Sequence, residues 1–202
     1  MRFEDLDLTK KFTYADYISW SFSDAVEIIR GRVFKMAAPL SNHQKVAGNI
    51  FGIINSFLYR KKCNVYIAPF DVRLPKPLSK RKSDSDIETV LQPDVCIICD
   101  LSKIERRGCL GAPDLIIEIL SKSTANKDAK DKFEVYEEAG VREYWMVSMQ
   151  DETVLVYRLN EQNSYVADHR PYVTSDIIRV GIFEDFFIPV EEIFLGTIDF
   201  GD

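Results

Sequence analysis

Two histidines, His43 and His169, stand far apart in the 202 residues, so a zinc centre built on histidine is not expected. The four cysteines do not supply one either. Cys63, Cys96, Cys99 and Cys109 show no paired metal-ligand spacing. Cys96 and Cys99 lie in an apolar, strand-like run, where residues three apart face opposite ways; all four are expected as buried apolar thiols. No apolar stretch reaches the ~18 residues that a membrane span needs. The start, Met1-Arg2-Phe3-Glu4-Asp5, lacks the basic segment and apolar run of a secretory leader, and the expectation is a cytoplasmic protein with no membrane contact. Internal repeats, low-complexity tracts and linkers are missing too, which predicts one domain over residues 1–202. A basic excess is also lacking. Lys and Arg number 26 against 32 Asp and Glu, a formal charge of -6, so contact with a polyanion would require a local basic groove.

What is present is the composition of a folded protein, 46% hydrophobic and 12% aromatic. Thr13-Tyr14-Ala15-Asp16 has the form of a capping box with Asp in place of Glu and predicts a short helix. Val26-Glu27-Ile28-Ile29 and Arg32-Val33-Phe34-Lys35-Met36 flank the turn pair Arg30-Gly31, which predicts a hairpin. Ser41-Asn42-His43-Gln44 reads as a second capping box. Val46, Ala47, Ile50, Phe51, Ile54, Phe57 and Leu58 follow at helical spacing, ahead of the cations Arg60, Lys61 and Lys62. Residues 64–74 read as a strand in which Pro69 marks an edge or a bulge, and residues 75–88 as a polar loop.

The second half alternates short apolar runs with one helix. Val95-Cys96-Ile97-Ile98-Cys99 and Leu115-Ile116-Ile117-Glu118-Ile119-Leu120 have the continuous apolarity of central strands covered on both faces. Ser123 or Thr124 can cap a helix that carries Ala129, Phe133 and Tyr136 on one stripe and stops near Ala139 at Gly140. Two further strands lie near residues 143–147 and 153–157, joined by a polar turn. A weak strand at Phe186-Phe187-Ile188-Pro189 and a closing helical turn over residues 190–194 end the pattern. The order predicts an α/β fold.

Glu118 is the anomaly, because every neighbour in its run is aliphatic. An unpaired buried carboxylate costs several kcal/mol, so a partner must compensate it: an internal ion pair, a proton, or a hard divalent cation. Asp94, directly after Gln92-Pro93, opens the preceding apolar strand. Two neighbouring strands would bring Asp94 and Glu118 together as a metal pair. Asp114 lies four residues before Glu118 on the same strand, roughly 13 Å away when extended, and is expected to be a strand-start residue. His43, in the first turn of an amphipathic helix, is expected to pack or cap.

Gln92-Pro93-Asp94, Gly111-Ala112-Pro113-Asp114-Leu115, Glu118-Ile119-Leu120-Ser121, Lys132 with Tyr136, and Gly140-Val141-Arg142-Glu143-Tyr144-Trp145 together resemble the Uma-two-type family of restriction endonucleases, formerly a domain of unknown function. The Glu27 to Gly31 hairpin and the Pro39 to His43 stretch match as well, and the resemblance runs from about Tyr14 to Tyr157. It implies a PD-(D/E)XK, restriction-endonuclease-like core, a mixed central β-sheet flanked by helices, with Mg²⁺ or Mn²⁺ as cofactor. It further implies Asp94 and Glu118 as metal carboxylates, the Ile119 backbone carbonyl as an extra ligand, and Glu27 as an additional acid. The chain departs from the superfamily pattern at Leu120, where a D/E-x-K motif has its lysine. Lys132 is expected to take that role, with Lys122 as the alternative.

The expected activity is metal-dependent hydrolysis of phosphodiester bonds in nucleic acid, DNA first, by a twofold dimer. Two alternatives stand beside it. One is a nuclease-fold module that binds DNA or protein without turnover; the other is a metal hydrolase of small phosphorylated substrates.

Overall fold

The computed structural model describes residues 3–21, 24–76, 83–120 and 128–200, with Asp128 and Ala129 described by backbone alone. In chain order its helices are α1 (Tyr14–Tyr17), α2 (Ser41–Leu58), α3 (Asp128–Ala139) and α4 (Val190–Phe194). The strands of the first half are β1 (Val26–Ile29), β2 (Arg32–Lys35), β3 (Asn64–Ile67), β4 (Val72–Arg73), β5 (Val90–Leu91) and β6 (Val95–Ile98). Those of the second are β7 (Ile104–Glu105), β8 (Gly108–Leu110), β9 (Leu115–Leu120), β10 (Glu143–Ser148), β11 (Thr153–Leu159), β12 (Tyr165–Ala167), β13 (Ile177–Arg179) and β14 (Phe187–Pro189).

The central sheet is mixed and runs β12-β11-β10-β9-β6-β3; β9 and β10 are parallel and the other pairs antiparallel. A second six-stranded sheet, β2-β1-β5-β4-β8-β7, packs beside it, and β13 with β14 forms a small third one. The α/β class with a mixed central sheet and flanking helices is the one the sequence predicts.

Alternation along the central strands sorts their side chains into two cores. Val95, Ile97, Leu115, Ile117, Ile119, Trp145 and Val147 face α2 through its Val46, Ala47, Ile50 and Ile54. Cys96, Ile98, Ile116 and Tyr144 face the other way, toward Val135 and Tyr136 of α3 and Val72 and Leu91 of the second sheet. Strand β9 is therefore covered on both faces, which explains its unbroken apolar run.

Several local expectations change. The strand expected over residues 64–74 is two strands in two different sheets, β3 and β4, with a cis Ala68–Pro69 bond between them. β5 and β6 make the same passage in reverse. The two arms pair antiparallel throughout, as one hairpin folded from sheet to sheet, and at the corner residues 68–71 stand opposite only Gln92-Pro93-Asp94. Ser41 does not cap α2: the cap position is Leu40, with no side-chain hydrogen bond, and Ser41 is the first helical residue. At α1 the expected box is formed: the Thr13 side chain accepts the Asp16 N–H, and Asp16 Oδ2 accepts the Thr13 N–H at 2.8 Å.

The cysteine expectation is half corrected. Cys96 and Cys109 are free and buried, whereas Cys63 and Cys99 form a disulfide. The reason is register: they stand opposite each other one step beyond the Asn64↔Ile98 pair. The proposed helix cap at Ser123 or Thr124, and Lys122, lie outside the described residues. Among the described residues no helix is long and apolar enough to cross a membrane.

Since Ile117 is fully buried at the centre of β9, Ile117→Ala is expected to lower the unfolding free energy by about 2–5 kcal/mol in urea melts. A loss under about 1 kcal/mol would contradict this packing.

Candidate active site

One step beyond the Val95↔Ile117 pair of β6 and β9, the register sets Asp94 opposite Glu118. Facing residues of an antiparallel pair share a face, so both belong to the side lined by Cys96 and Ile116. The ladder stops here for a chemical reason. In the continued register Pro93 stands opposite Ile119 and has no N–H to give. The Ile119 N–H instead donates to Asp94 Oδ2 at 2.7 Å.

Glu118 is 7% exposed. Its Oε1 accepts the Tyr136 hydroxyl at 2.7 Å, and its two oxygens receive the Lys132 ammonium at 3.1 and 3.2 Å. Lys132 and Tyr136 are one turn apart on α3, so they present both donors to the same carboxylate. The ammonium also reaches Glu27 at 3.0 Å, and Glu27 Oε1 takes the backbone N–H of Gln92 at 2.8 Å. Glu27 belongs to β1 of the second sheet and is only 5% exposed. The cluster thus draws on both sheets and α3.

On the open side His43, from the first turn of α2, sets its Nε2 3.3 Å from Asp94 Oδ1. It does not cap the helix. The sequence offered no sign of this contact, which joins residues 51 positions apart across the end of the sheet.

The electrostatics follow from burial. Desolvation pushes Glu118 up to about 7, and the charges of Asp94 and Glu27 push the same way, while Lys132 and the Tyr136 hydrogen bond pull it back. Burial alone would lower Lys132, but the two glutamates outweigh it and hold it as an ammonium above its ordinary range. Burial likewise opposes the charged form of His43, and the bond to Asp94, the Asp94 and Glu118 charges and the Ile119 backbone overcome that opposition and raise it. Tyr136 is lifted well above its ordinary value by burial and by Glu118, so it stays a hydroxyl donor.

Asp94, Glu118, Glu27 and Lys132 therefore meet in one cluster, with the Ile119 backbone at its edge. Asp114 stands apart and starts its strand, accepting the Cys99 N–H at 2.8 Å and an Arg142 contact at 3.1 Å. Among the described residues, no three His, Cys, Asp or Glu side chains converge closely enough to cage a metal by themselves.

A family model described as "Putative restriction endonuclease", Uma2, matches residues 15–190. The chain belongs to the Uma2 family. The match takes in Glu27, His43, Asp94, Glu118 and Lys132. An uncharacterised protein of Synechocystis sp. is 25% identical over 132 residues, covering 63% of this Uma2 chain and 69% of that protein. A crystal structure described as a putative nuclease belonging to DUF820, from Anabaena variabilis, superposes with a TM-score of 0.69. It covers 91% of this chain and 97% of its own at 19% identity, a likeness of fold.

A carboxyl whose pKa is raised on folding contributes stability in its protonated form, and this is lost as pH rises through the folded value. Glu118 should therefore weaken the Uma2 fold as pH rises through about 7. Glu118→Gln is expected to gain about 1–3 kcal/mol on the parent at pH 8 and little at pH 5. Equal differences at both pH values in thermal melts would show that Glu118 is already ionised at low pH.

Proposed function

We propose that this Uma2 protein is a metal-dependent endonuclease that hydrolyses phosphodiester bonds in nucleic acid, with DNA as the first candidate. The observation that carries the reading is the excess of acid: Glu27 and Glu118 share the single ammonium of Lys132, and Asp94 stands opposite Glu118, its charge adding to theirs.

The donor set fits a hard divalent cation, which prefers carboxylate and carbonyl oxygens and keeps several waters. Asp94, Glu118 and the Ile119 carbonyl are the groups that would hold Mg²⁺ or Mn²⁺, with water and substrate oxygens completing the shell in place of a third acidic ligand. When bound, such an ion supplies neutralisation of the phosphate charge and a water of lowered pKa.

The protein's own groups then divide the remaining work. Tyr136 and Lys132 hold Glu118 in one rotamer, and Lys132 favours its ionised form. Ile119 N–H and His43 fix Asp94 from its two oxygens. Lys132 occupies the place left vacant by Leu120, two residues after Glu118, and would stabilise the developing negative charge at phosphorus. We place the activity in one domain over residues 1–202 and in a twofold dimer, the arrangement suited to cutting both strands.

One observation favours a second reading, a nuclease fold that binds without turnover: Lys132 and His43 already pair with the acids. Purified protein is expected to cleave plasmid or oligonucleotide DNA with Mg²⁺ or Mn²⁺. Asp94→Asn, Glu118→Gln and Lys132→Met should each lower the rate at least ~100-fold. Calorimetric titration with Mn²⁺ is expected to show binding in the parent and a weakened site in Asp94→Asn. Cleavage that survives in both carboxylate variants would remove the assignment, and a parent that binds no Mn²⁺ and cuts nothing would favour the inactive scaffold.

A further inference from the structure

A cleft of about 500 Å³ is lined chiefly by Tyr14, Tyr17, Trp20, Asp71 and Arg107, with Asp24 and Val26 also on its wall. Its aromatic wall is ordered as a ladder. Tyr14, 1% exposed, stacks on Tyr17 at 5.6 Å between centroids and 21° between planes, and Tyr17 leads to Trp20 at 6.1 Å and 59°. Tyr17 and Trp20 are only half-buried. Beneath the ladder, the guanidinium of buried Arg73 lies 4.9 Å from the Tyr14 ring. Both half-buried rings line the cleft, and Trp20 also meets Phe12 edge-on at 5.4 Å.

The cleft also carries polar features. Asp71 sits within it as an acceptor, 3.2 Å from the Tyr17 hydroxyl and 2.8 Å from Gln92 Nε2. At the rim, Arg107 lines the cleft from the turn between β7 and β8, 3.9 Å from Asp84, with exposed Arg106 beside it in the chain. Gln92 connects this cleft to the cluster: its side chain reaches Tyr17 at 3.1 Å while its backbone N–H holds Glu27 at 2.8 Å. The aromatic face and the acids are therefore two ends of one hydrogen-bonded unit, and the function proposed above makes no use of the first.

We infer that this cleft takes an unstacked nucleobase of single-stranded nucleic acid, stacked on Tyr17 and Trp20, with its flanking phosphates on Arg106 and Arg107. The inference rests on the nuclease reading for the nature of the guest and deepens it: the substrate would be engaged as a single strand, or with one base turned out of a duplex. Stacking on an aromatic face tolerates any base, and the rim arginines supply the salt-dependent part.

The test uses the full chain in EDTA, so that no cleavage intervenes. Trp145 is fully buried and Trp20 is not, so a 12-nucleotide oligo(dT) is expected to quench the intrinsic fluorescence, and Trp20→Phe should abolish that change. By anisotropy of a labelled strand, Tyr17→Ala and Trp20→Ala are each expected to weaken binding about ten-fold. Tyr17→Phe, which keeps the ring, should bind like the parent. Thermal melts establish that each variant is folded; should an alanine variant not fold, the parent's quenching and its preference for single strand over a duplex of equal length decide. No quenching, equal affinity for duplex, or folded alanine variants that bind as the parent would overturn the inference. A parent that binds the strand with quenching yet never cuts with Mn²⁺ would leave the cleft standing and remove the nuclease reading. Cleavage without quenching would do the reverse.

Discussion

The ammonium of Lys132 is the group on which the rest of the centre depends. It is nearly enclosed, and it touches carboxylates delivered by two different sheets, Glu27 from β1 and Glu118 from β9. Buried acids that close to one another repel, and each is costly alone. A single cation between them makes their coexistence tolerable and ties α3 to both sheets at once. The Tyr136 hydroxyl, one turn along the same helix, completes the coordination of Glu118. Because the lysine arrives from a helix and not from β9 itself, position 120 is released for an aliphatic side chain.

That transfer also explains what could be read from the chain. An acid amid aliphatic residues, as Glu118 is, is visible in a sequence because it violates the pattern around it; Asp94 is legible as the residue that opens the preceding apolar run after Gln92-Pro93. Lys132 is singled out in the sequence only by the family resemblance and its place one turn before Tyr136. A charged residue on a mostly polar helix breaks no pattern. The sequence marks His43 only for packing or capping: its contact with Asp94 depends on where α2 begins relative to the end of the central sheet, and no local spacing encodes that.

Two of the differences between expected and observed fold have a common cause. Apolar alternation reveals that a segment is extended, but not which sheet it joins or in what register. Residues 64–74 read as one strand because both halves are apolar, although the chain changes sheets at Pro69. The same blindness to register hid the Cys63–Cys99 bond, since each cysteine looks like an ordinary buried thiol until the two strands are aligned. Elements governed by short-range chemistry fared better. The Arg30-Gly31 turn, with both residues at positive φ, sits where its residue types suggested, and Gly140 at φ 83° follows the end of α3.

The folded hairpin that carries β3 to β6 has one more consequence. Four residues on its outer arm, 68–71, span the same corner as three on the inner arm, Gln92, Pro93 and Asp94. Strand faces alternate with a period of two, so adding or deleting one residue in either arm would turn every side chain beyond it to the opposite surface. Asp94 would then point away from Glu118, or Val72 and Arg73 would exchange core for cleft. The corner thus constrains the chain by counting: its amino acids can drift, but an insertion or deletion there would dismantle the centre even if every acidic residue were kept.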